Sequence, residues 1–226
     1  MKIKEAIGRV LQRNSSQSKP SAYQINYGFG PEYYTERLVE LPFLWRNISR
    51  TAKNVLDIGC WESLNGIQLA MQGYIVDGID IQEYGFKHNN FTFIHDDFIE
   101  HDFGSKRYDA IINISAIEHF GLPVYTNTKI DFEADIKAIR KVYDLLVKGG
   151  QFIFTAPVGT GEIFNNFERC YKPGALKGML RDMFKINTEE YYLIETNNIN
   201  RISEEEAEIR HKPHKYAVVC LDLVKT

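Results

Sequence analysis

Short unbroken apolar runs alternate along this chain with stretches whose apolar residues recur every three or four positions. Val55-Leu56-Asp57-Ile58, Tyr74 to Ile79, Phe91 to Ile94, Tyr108 to Ser115 and Gln151 to Pro157 are of the first kind. A run that is apolar on both faces of the pleat belongs to a strand covered on both sides, as in parallel sheets with helices above and below. Leu64, Ile67, Gln68, Leu69 and Met71 continue a helix after the first run, with Ser63 placed to cap it and Gly73 to stop it. Asp131 to Val147 repeats the helical period with Ile136, Ile139, Val142, Tyr143 and Leu146 on one face, and Lys148-Gly149-Gly150 ends it. Thr35 to Ile48 has helical spacing too, although Pro42 is expected to kink or divide it. Pro173 to Met183 predicts a further helix. Phe184 to Glu195 and Tyr216 to Val224 predict a closing antiparallel pair. The polar, charged segment Asn197 to Lys215 between them reads as a long loop.

At the start of the chain, Ile3, Ile7, Val10 and Leu11 share a helical face, which predicts a helix docked on the body or on a second copy of the chain in a homodimer. Asn14 to Pro20 is a polar linker, and the aromatic, glycine-rich stretch from Tyr23 is a candidate lid or sheet-edge cover. These segments divide the chain into an N-terminal helical and aromatic cap, residues 1–50, and a main domain, residues 51–226, within one compact unit.

The chemistry concentrates in Asn54 to Asp80. A strand, a tight turn at Gly59-Cys60-Trp61-Glu62-Ser63, a helix and a second strand ending on Asp80 form a unit that binds an adenosine-containing cofactor. The turn lets a ligand approach backbone N–H groups at the helix start, and the acid accepts hydrogen bonds from both ribose hydroxyls. A pyrophosphate needs bare backbone at G-x-G-x-x-G, and only Gly59 is present here. NAD and FAD are therefore disfavoured.

The string D-I-G-C from Asp57 resembles the first motif of class I S-adenosylmethionine (SAM) methyltransferases, with Trp61 and Ser63 where that family usually carries glycine. The segment I-E-H-F-G from Ile117 and the run V-Y-D-L-L-V-K-G-G-Q-F-I-F-T-A-P from Val142 are similar to later parts of the same family. The combination I-E-H-F-G-L, D-I-K-A-I-R and T-A-P-V-G looks like a bacterial branch associated with surface-polysaccharide synthesis. The resemblance implies an α/β fold, a Rossmann-like seven-stranded mostly parallel sheet with helices on both faces and an antiparallel C-terminal strand pair. It also implies SAM as cofactor, S-adenosylhomocysteine as its product, and cofactor contacts from Asp57, Gly59, Cys60, Trp61, Asp80, Ile81, Asp96, Asp97, Phe98 and Ser115. Within that set Asp97, or alternatively Asp96, takes the adenine amino group and Phe98 packs on the ring.

Glu118 and His119 follow the fourth strand, where ligands gather in open α/β sheets. His119 is the candidate general base, because an ordinary imidazole titrates near neutrality, and Glu118 orients it or binds substrate. The alternative is a structural pair tying down the turn. His211 and His214 are candidates to reach the site from the long loop. One Glu-His dipeptide does not establish converging metal ligands, so no metal is assigned.

Charge changes the picture only by exclusion. A net charge of −3 and a pI of about 6.1 present no basic field for nucleic acid or a membrane surface. The three cysteines Cys60, Cys170 and Cys220 form no C-x-x-C pair, no apolar stretch reaches spanning length, and the start lacks a signal-peptide core, so a reducing cytoplasm is expected. The expected function is methyl transfer to a small-molecule or sugar-like glycan-precursor acceptor, on oxygen. The alternatives are an inactive SAM-fold interaction protein, or an NAD-linked oxidoreductase.

Overall fold

The structure is a computed structural model and describes residues 34–125 and 130–226. The N-terminal helix, the linker, almost all of the aromatic stretch and part of the Gly121 to Lys129 loop lie outside the described residues. In chain order the elements are helix α1 (Arg37–Asn47), strand β1 (Asn54–Ile58), α2 (Asn65–Met71), β2 (Ile75–Asp80), β3 (Phe91–His95) and β4 (Tyr108–Ile114). A short 3-10 turn at Ile117–His119 precedes α3 (Ala134–Leu145) and β5 (Leu146–Val158). Then come β6 (Glu162–Phe164), β7 (Glu168–Cys170), α4 (Pro173–Leu180), β8 (Phe184–Glu195), β9 (Asn198–Ile202) and β10 (Lys215–Lys225).

One eight-stranded sheet has the order β3-β2-β1-β4-β5-β10-β8-β9. The β3 to β5 half is parallel, and β10, β8 and β9 join antiparallel. Alternate residues of the inner strands feed two cores. Leu56, Ile58 and Ile111 pack with Ala138, Ile139 and Val142 of α3 and with Leu176 and Leu180 of α4. Val55, Val76 and Ile112 pack on the other face with Phe43 and Leu44 of α1 and Leu69 of α2. The unbroken apolar runs thus reflect strands covered on both faces.

Several expectations need correction. The sheet has eight strands where seven were expected, because β9 pairs with β8 as a hairpin inside the segment read as loop. Its burial alternates weakly and its residues are mostly polar, so an edge strand there carries no apolar signature. Gly149 and Gly150 do not end a helix. They lie within β5, Gly149 at φ +73°, where the β4–β5 register shifts. α3 ends at Leu145, and Ala138 and Leu145, rather than Ile136 and Leu146, complete its buried face. Helix α1 runs unbroken through Pro42, whose side chain faces solvent. Ser63 does not cap α2: its hydroxyl donates to the Cys60 carbonyl, and the Gly66 N–H in the first turn donates instead to Asp57 Oδ2 at 2.9 Å.

The topology makes the site. The chain leaves β1 to build β2 and β3 on one side, then crosses to β4 on the other, which opens a crevice at the carboxyl ends of β1 and β4. Asn113, fully buried, closes its floor: its Nδ2 donates to the Ile58 carbonyl and its Oδ1 accepts the Ile117 N–H, both at 3.2 Å.

Candidate active site

A cavity of about 340 Å³ opens in this crevice. Gly59, Trp61 and Glu62 come from the loop after β1, Asp80 and Ile81 from the tip of β2, and Asp96, Asp97 and Phe98 from the loop after β3. Ser115 and His119 follow β4. Each of these residues from the expected set is therefore gathered in one place by strand ends far apart in sequence.

The Gly59 turn is forced by geometry. Its φ is +73°, and an added Cβ would sit 2.3 Å from Ala116 Cβ, so the β1 and β4 loops touch through a bare backbone. The Gly59 N–H donates to the Ile79 carbonyl at 2.9 Å, which ties the turn to β2. Asp80 holds the same turn from the other side. Its Oδ2 accepts the Trp61 N–H at 2.9 Å and its Oδ1 the Gln82 N–H at 2.8 Å. Burial raises the Asp80 carboxyl above its ordinary value, against those backbone donors. The Ile81 N–H also bears on the carboxylate, whose two oxygens together still have acceptor capacity for a hydroxyl donor from the cavity.

Asp97 Oδ1 accepts the Ile99 N–H at 2.7 Å, and Asp96 pairs with His101 Nδ1 at 2.8 Å. The hydrogen bond from His101 holds Asp96 below the usual carboxylate range. Phe98 is 3% exposed and packs against Phe103 and Phe120. Trp61 turns its ring edge-on to Tyr125, 5.9 Å away, and Tyr125, His119 and Phe167 continue an aromatic rim.

Two expected cofactor contacts are not on the cavity wall. Asp57 is buried within the sheet, where its carboxyl group caps α2, because two residues before Gly59 it shares the face of β1 that packs on that helix. Burial, with the Asp80 charge adding to it, pushes its carboxyl up to about 7 from an ordinary value of 3.8. Cys60 is fully buried among the apolar residues of α2, β2 and β3. Between about pH 4 and pH 7 the folded chain therefore keeps a proton on Asp57 that the unfolded chain has shed, so this group's contribution to stability falls as pH rises through that window. Asp57→Asn keeps an acceptor for Gly66 and removes the titration. Urea unfolding of the variant at pH 5 and pH 8 is expected to differ less than that of the parent chain.

The candidate catalytic pair also sits differently from expectation. His119 reaches the cavity, but burial lowers it to about 4, so the near-neutral imidazole anticipated from the sequence is absent. Its Nδ1 lies 2.7 Å from the Phe167 carbonyl, which accepts the N–H and fixes the tautomer. Glu118 does not line the cavity; its carboxylate is fully buried behind His119. His211 lies packed between Phe164 and Tyr216, away from the cavity, and exposed His214 does not line it either.

Sequence reasoning missed Arg37, the one Lys or Arg among the described residues lining the cavity. Burial opposes its charge, but Glu40 and Glu36 outweigh that and hold it cationic. Its Nη1 donates to Glu40 and to the Ile114 carbonyl. Glu40 is itself fully buried and also accepts the Ser115 hydroxyl. A glutamate on an apolar helix face, three residues after an arginine, was the available signal.

Residues 76–220, well over half of the chain, match the family model described as Caenorhabditis protein of unknown function, DUF268. The chain belongs to this family. The DUF268 match runs from β2 into β10, so it includes Asp80 and the loops after β3 and β4 and leaves Gly59 outside. No curated protein matches the chain.

Solved structures share the fold at low identity. Burkholderia thailandensis 1,6-didemethyltoxoflavin-N1-methyltransferase, crystallised with 1,6-didemethyltoxoflavin and S-adenosylhomocysteine, superposes with a TM-score of 0.57 at 18% identity, over 84% of this chain and 77% of that one. The N-methyltransferase NodS from Bradyrhizobium japonicum, in complex with S-adenosylhomocysteine, gives 0.54 at 12% identity over 84% and 87%. A SAM-dependent methyltransferase from Methanosarcina mazei gives 0.53 at 16% over 81% and 97%. The DUF268 chain thus has the class I SAM methyltransferase fold. Among the described residues no helix is long and apolar enough to cross a membrane.

Proposed function

We propose that this protein is a SAM-dependent methyltransferase. The observation that carries the reading is Asp80, a carboxylate at the tip of β2 facing the cavity beside the bare Gly59 turn. This arrangement suits an adenosine ribose: two acceptor oxygens for two hydroxyls, next to backbone that a ligand can approach closely. Asp97 and Asp96 offer acceptors for the adenine amino group and Phe98 an apolar face beside them. Arg37, cationic on an otherwise acidic wall, is suited to the carboxylate of the methionine arm. The solved relatives with S-adenosylhomocysteine bound support the same cofactor.

Bound SAM would supply a methyl group already activated on a cationic sulfur. The chain's own task is then to align the acceptor and exclude water, and alignment is worth on the order of 7–11 kcal/mol. Trp61 and Tyr125 on the cavity wall, with Phe167 packed against Tyr125, give flat faces for a ring-shaped acceptor, with Tyr125 51% and Phe167 42% exposed. These faces support a small-molecule or sugar-like acceptor, and methylation on oxygen is part of the same proposal.

The test is calorimetric titration of the purified chain with S-adenosylhomocysteine, with NADH in parallel. Micromolar binding of S-adenosylhomocysteine alone is the expected result. Binding of NADH alone would overturn the reading in favour of an oxidoreductase, and binding of neither would leave an interaction protein that has kept the fold.

A further inference from the structure

Behind the cavity wall lies an unpartnered carboxyl group. Glu118 is fully buried, and neither of its carboxylate oxygens has a hydrogen-bond partner among the described residues. Leaving such a group charged and unpaired costs several kcal/mol, so a buried carboxyl has a donor, a cation or a proton of its own, and burial raises the Glu118 carboxyl well above its ordinary value. The guanidinium at its backbone carbonyl does not serve it. Arg169 Nη1 donates to the backbone carbonyls of Glu118, at 3.0 Å, and Phe120, at 2.6 Å, and its Nε faces Asp135 at 3.5 Å. Arg37 acts on Glu118 only through its charge, since its Nη1 donates to Glu40 and the Ile114 carbonyl.

The groups that do face Glu118 are acceptors. His119 Nε2 stands 4.0 Å from Glu118 Oε1. The His119 Nδ1–H is given to the Phe167 carbonyl, so Nε2 presents a lone pair rather than a proton. Glu168, from β7, completes the group, and one ligand atom from each of the three side chains lies within 4.8 Å of the others. Two carboxyl groups and an imidazole lone pair converge here. Among the described residues only Glu168 has a donor, His211 Nε2 at 3.5 Å, so a cation held between Glu118, His119 and Glu168 would meet three ligand atoms and displace any proton the carboxyls hold.

We propose that Glu118, His119 and Glu168 form a binding site for a divalent first-row transition cation, such as Mn²⁺ or Zn²⁺. Metal–ligand bonds of about 2.0–2.2 Å place ligand atoms roughly 3–4 Å apart, so the Glu118–His119 separation already fits and a small side-chain rotation brings Glu168 in. A metal-bound histidine typically donates its other N–H to a backbone carbonyl, as His119 does to Phe167. The nitrogen ligand favours Mn²⁺ or Zn²⁺ over Mg²⁺ and Ca²⁺, which prefer oxygen alone. The cation would join the turn after β4 to the β6–β7 hairpin and stand at the wall of the cavity through His119.

The adjacent group of Glu168, Cys170 and His211 also converges, but its members already satisfy one another. Cys170 Sγ meets His211 Nδ1 at 3.0 Å, and His211 Nε2 meets Glu168 at 3.5 Å. The unpartnered carboxylate belongs to the first group, and it decides between them.

The experiment is titration of the chelator-treated full chain with MnCl₂ and ZnCl₂, by calorimetry and by the shift in melting temperature, with MgCl₂ for comparison and no SAM or S-adenosylhomocysteine present. One equivalent is expected to bind Mn²⁺ or Zn²⁺ at least tenfold more tightly than Mg²⁺. Glu118→Gln and Glu168→Gln are each expected to weaken binding by at least tenfold and to abolish the metal-induced melting shift, while Cys170→Ala changes neither. Should a buried variant fail to fold, His119→Ala, on the cavity wall, serves as the second variant and must weaken binding similarly. Absence of saturable binding, or binding lost in Cys170→Ala and kept in Glu118→Gln, overturns the proposal. Because no cofactor is present, its failure is separate from failure of the methyltransferase reading.

Discussion

Asp80→Ala is expected to weaken S-adenosylhomocysteine binding by two to four orders of magnitude. The carboxylate offers two acceptors to the proposed ribose, and a hydrogen bond to a charged group is worth about 1.5–3 kcal/mol. Losing both removes about 3–6 kcal/mol, at about 1.4 kcal/mol per tenfold change in affinity. A second effect acts in the same direction. Asp80 also holds the Trp61 and Gln82 N–H groups, so its loss frees the loop that shapes the cavity floor. Calorimetric titration of parent and variant measures the change. An affinity within a few-fold of the parent would mean that Asp80 serves only the loop and that the cofactor, if one binds, lies elsewhere. Asp80→Asn keeps one carbonyl acceptor and should fall between the two.

Gly59→Ala is expected to cost the fold about 2–5 kcal/mol, as left-handed backbone adds about 1–2 kcal/mol and overpacking about 1–3 kcal/mol. Both terms act here: φ is +73°, and the new methyl would meet Ala116 Cβ at 2.3 Å. Against a typical stability of about 5–15 kcal/mol the loss is large. Two comparisons separate the terms in urea unfolding. Gly104→Ala has φ +56° with nothing within 4 Å of the added Cβ, so it carries only the backbone cost. Ala116→Gly in the Gly59→Ala background should recover the overpacking part and leave the backbone part. A Gly59→Ala chain as stable as the parent would show that the β1 and β4 loops do not meet as closely as described.

How much was legible follows from what each feature depends on. The inner strands β1, β2, β4 and β5 announced themselves because burial on both faces leaves a run with few polar residues. Asp80 and the loop after β3 were found because their role depends on position along a strand, and β2 and β3 end close to where their apolar runs end. The edge strand β9 was missed because half of an edge strand's surroundings is water, which permits polar residues. Gly149 and Gly150 misled because the same pair serves a helix end or a strand irregularity, and local sequence does not say which.

What the sequence determined by itself was the alternation of strand and helix and the acid at the end of the second strand, since unbroken apolar runs and the 3.6-residue helical period both show along the chain without a partner. Only the tertiary structure decided which way each side chain faced. Asp57 and Asp80 both occur in Asp-Ile steps at the ends of apolar runs and share a face of the sheet, as Asp57 pairs with Gly78 and Asp80 lies two residues on; Asp57 caps a helix inside the sheet, and Asp80, at the strand tip beyond the last β1–β2 pair, faces the cavity. Arg37 entered the cavity because α1 packs beside the β4 loop across a long sequence separation. Glu118, His119 and Glu168 converged because β7 folds back beneath the turn after β4, a contact no local pattern encodes.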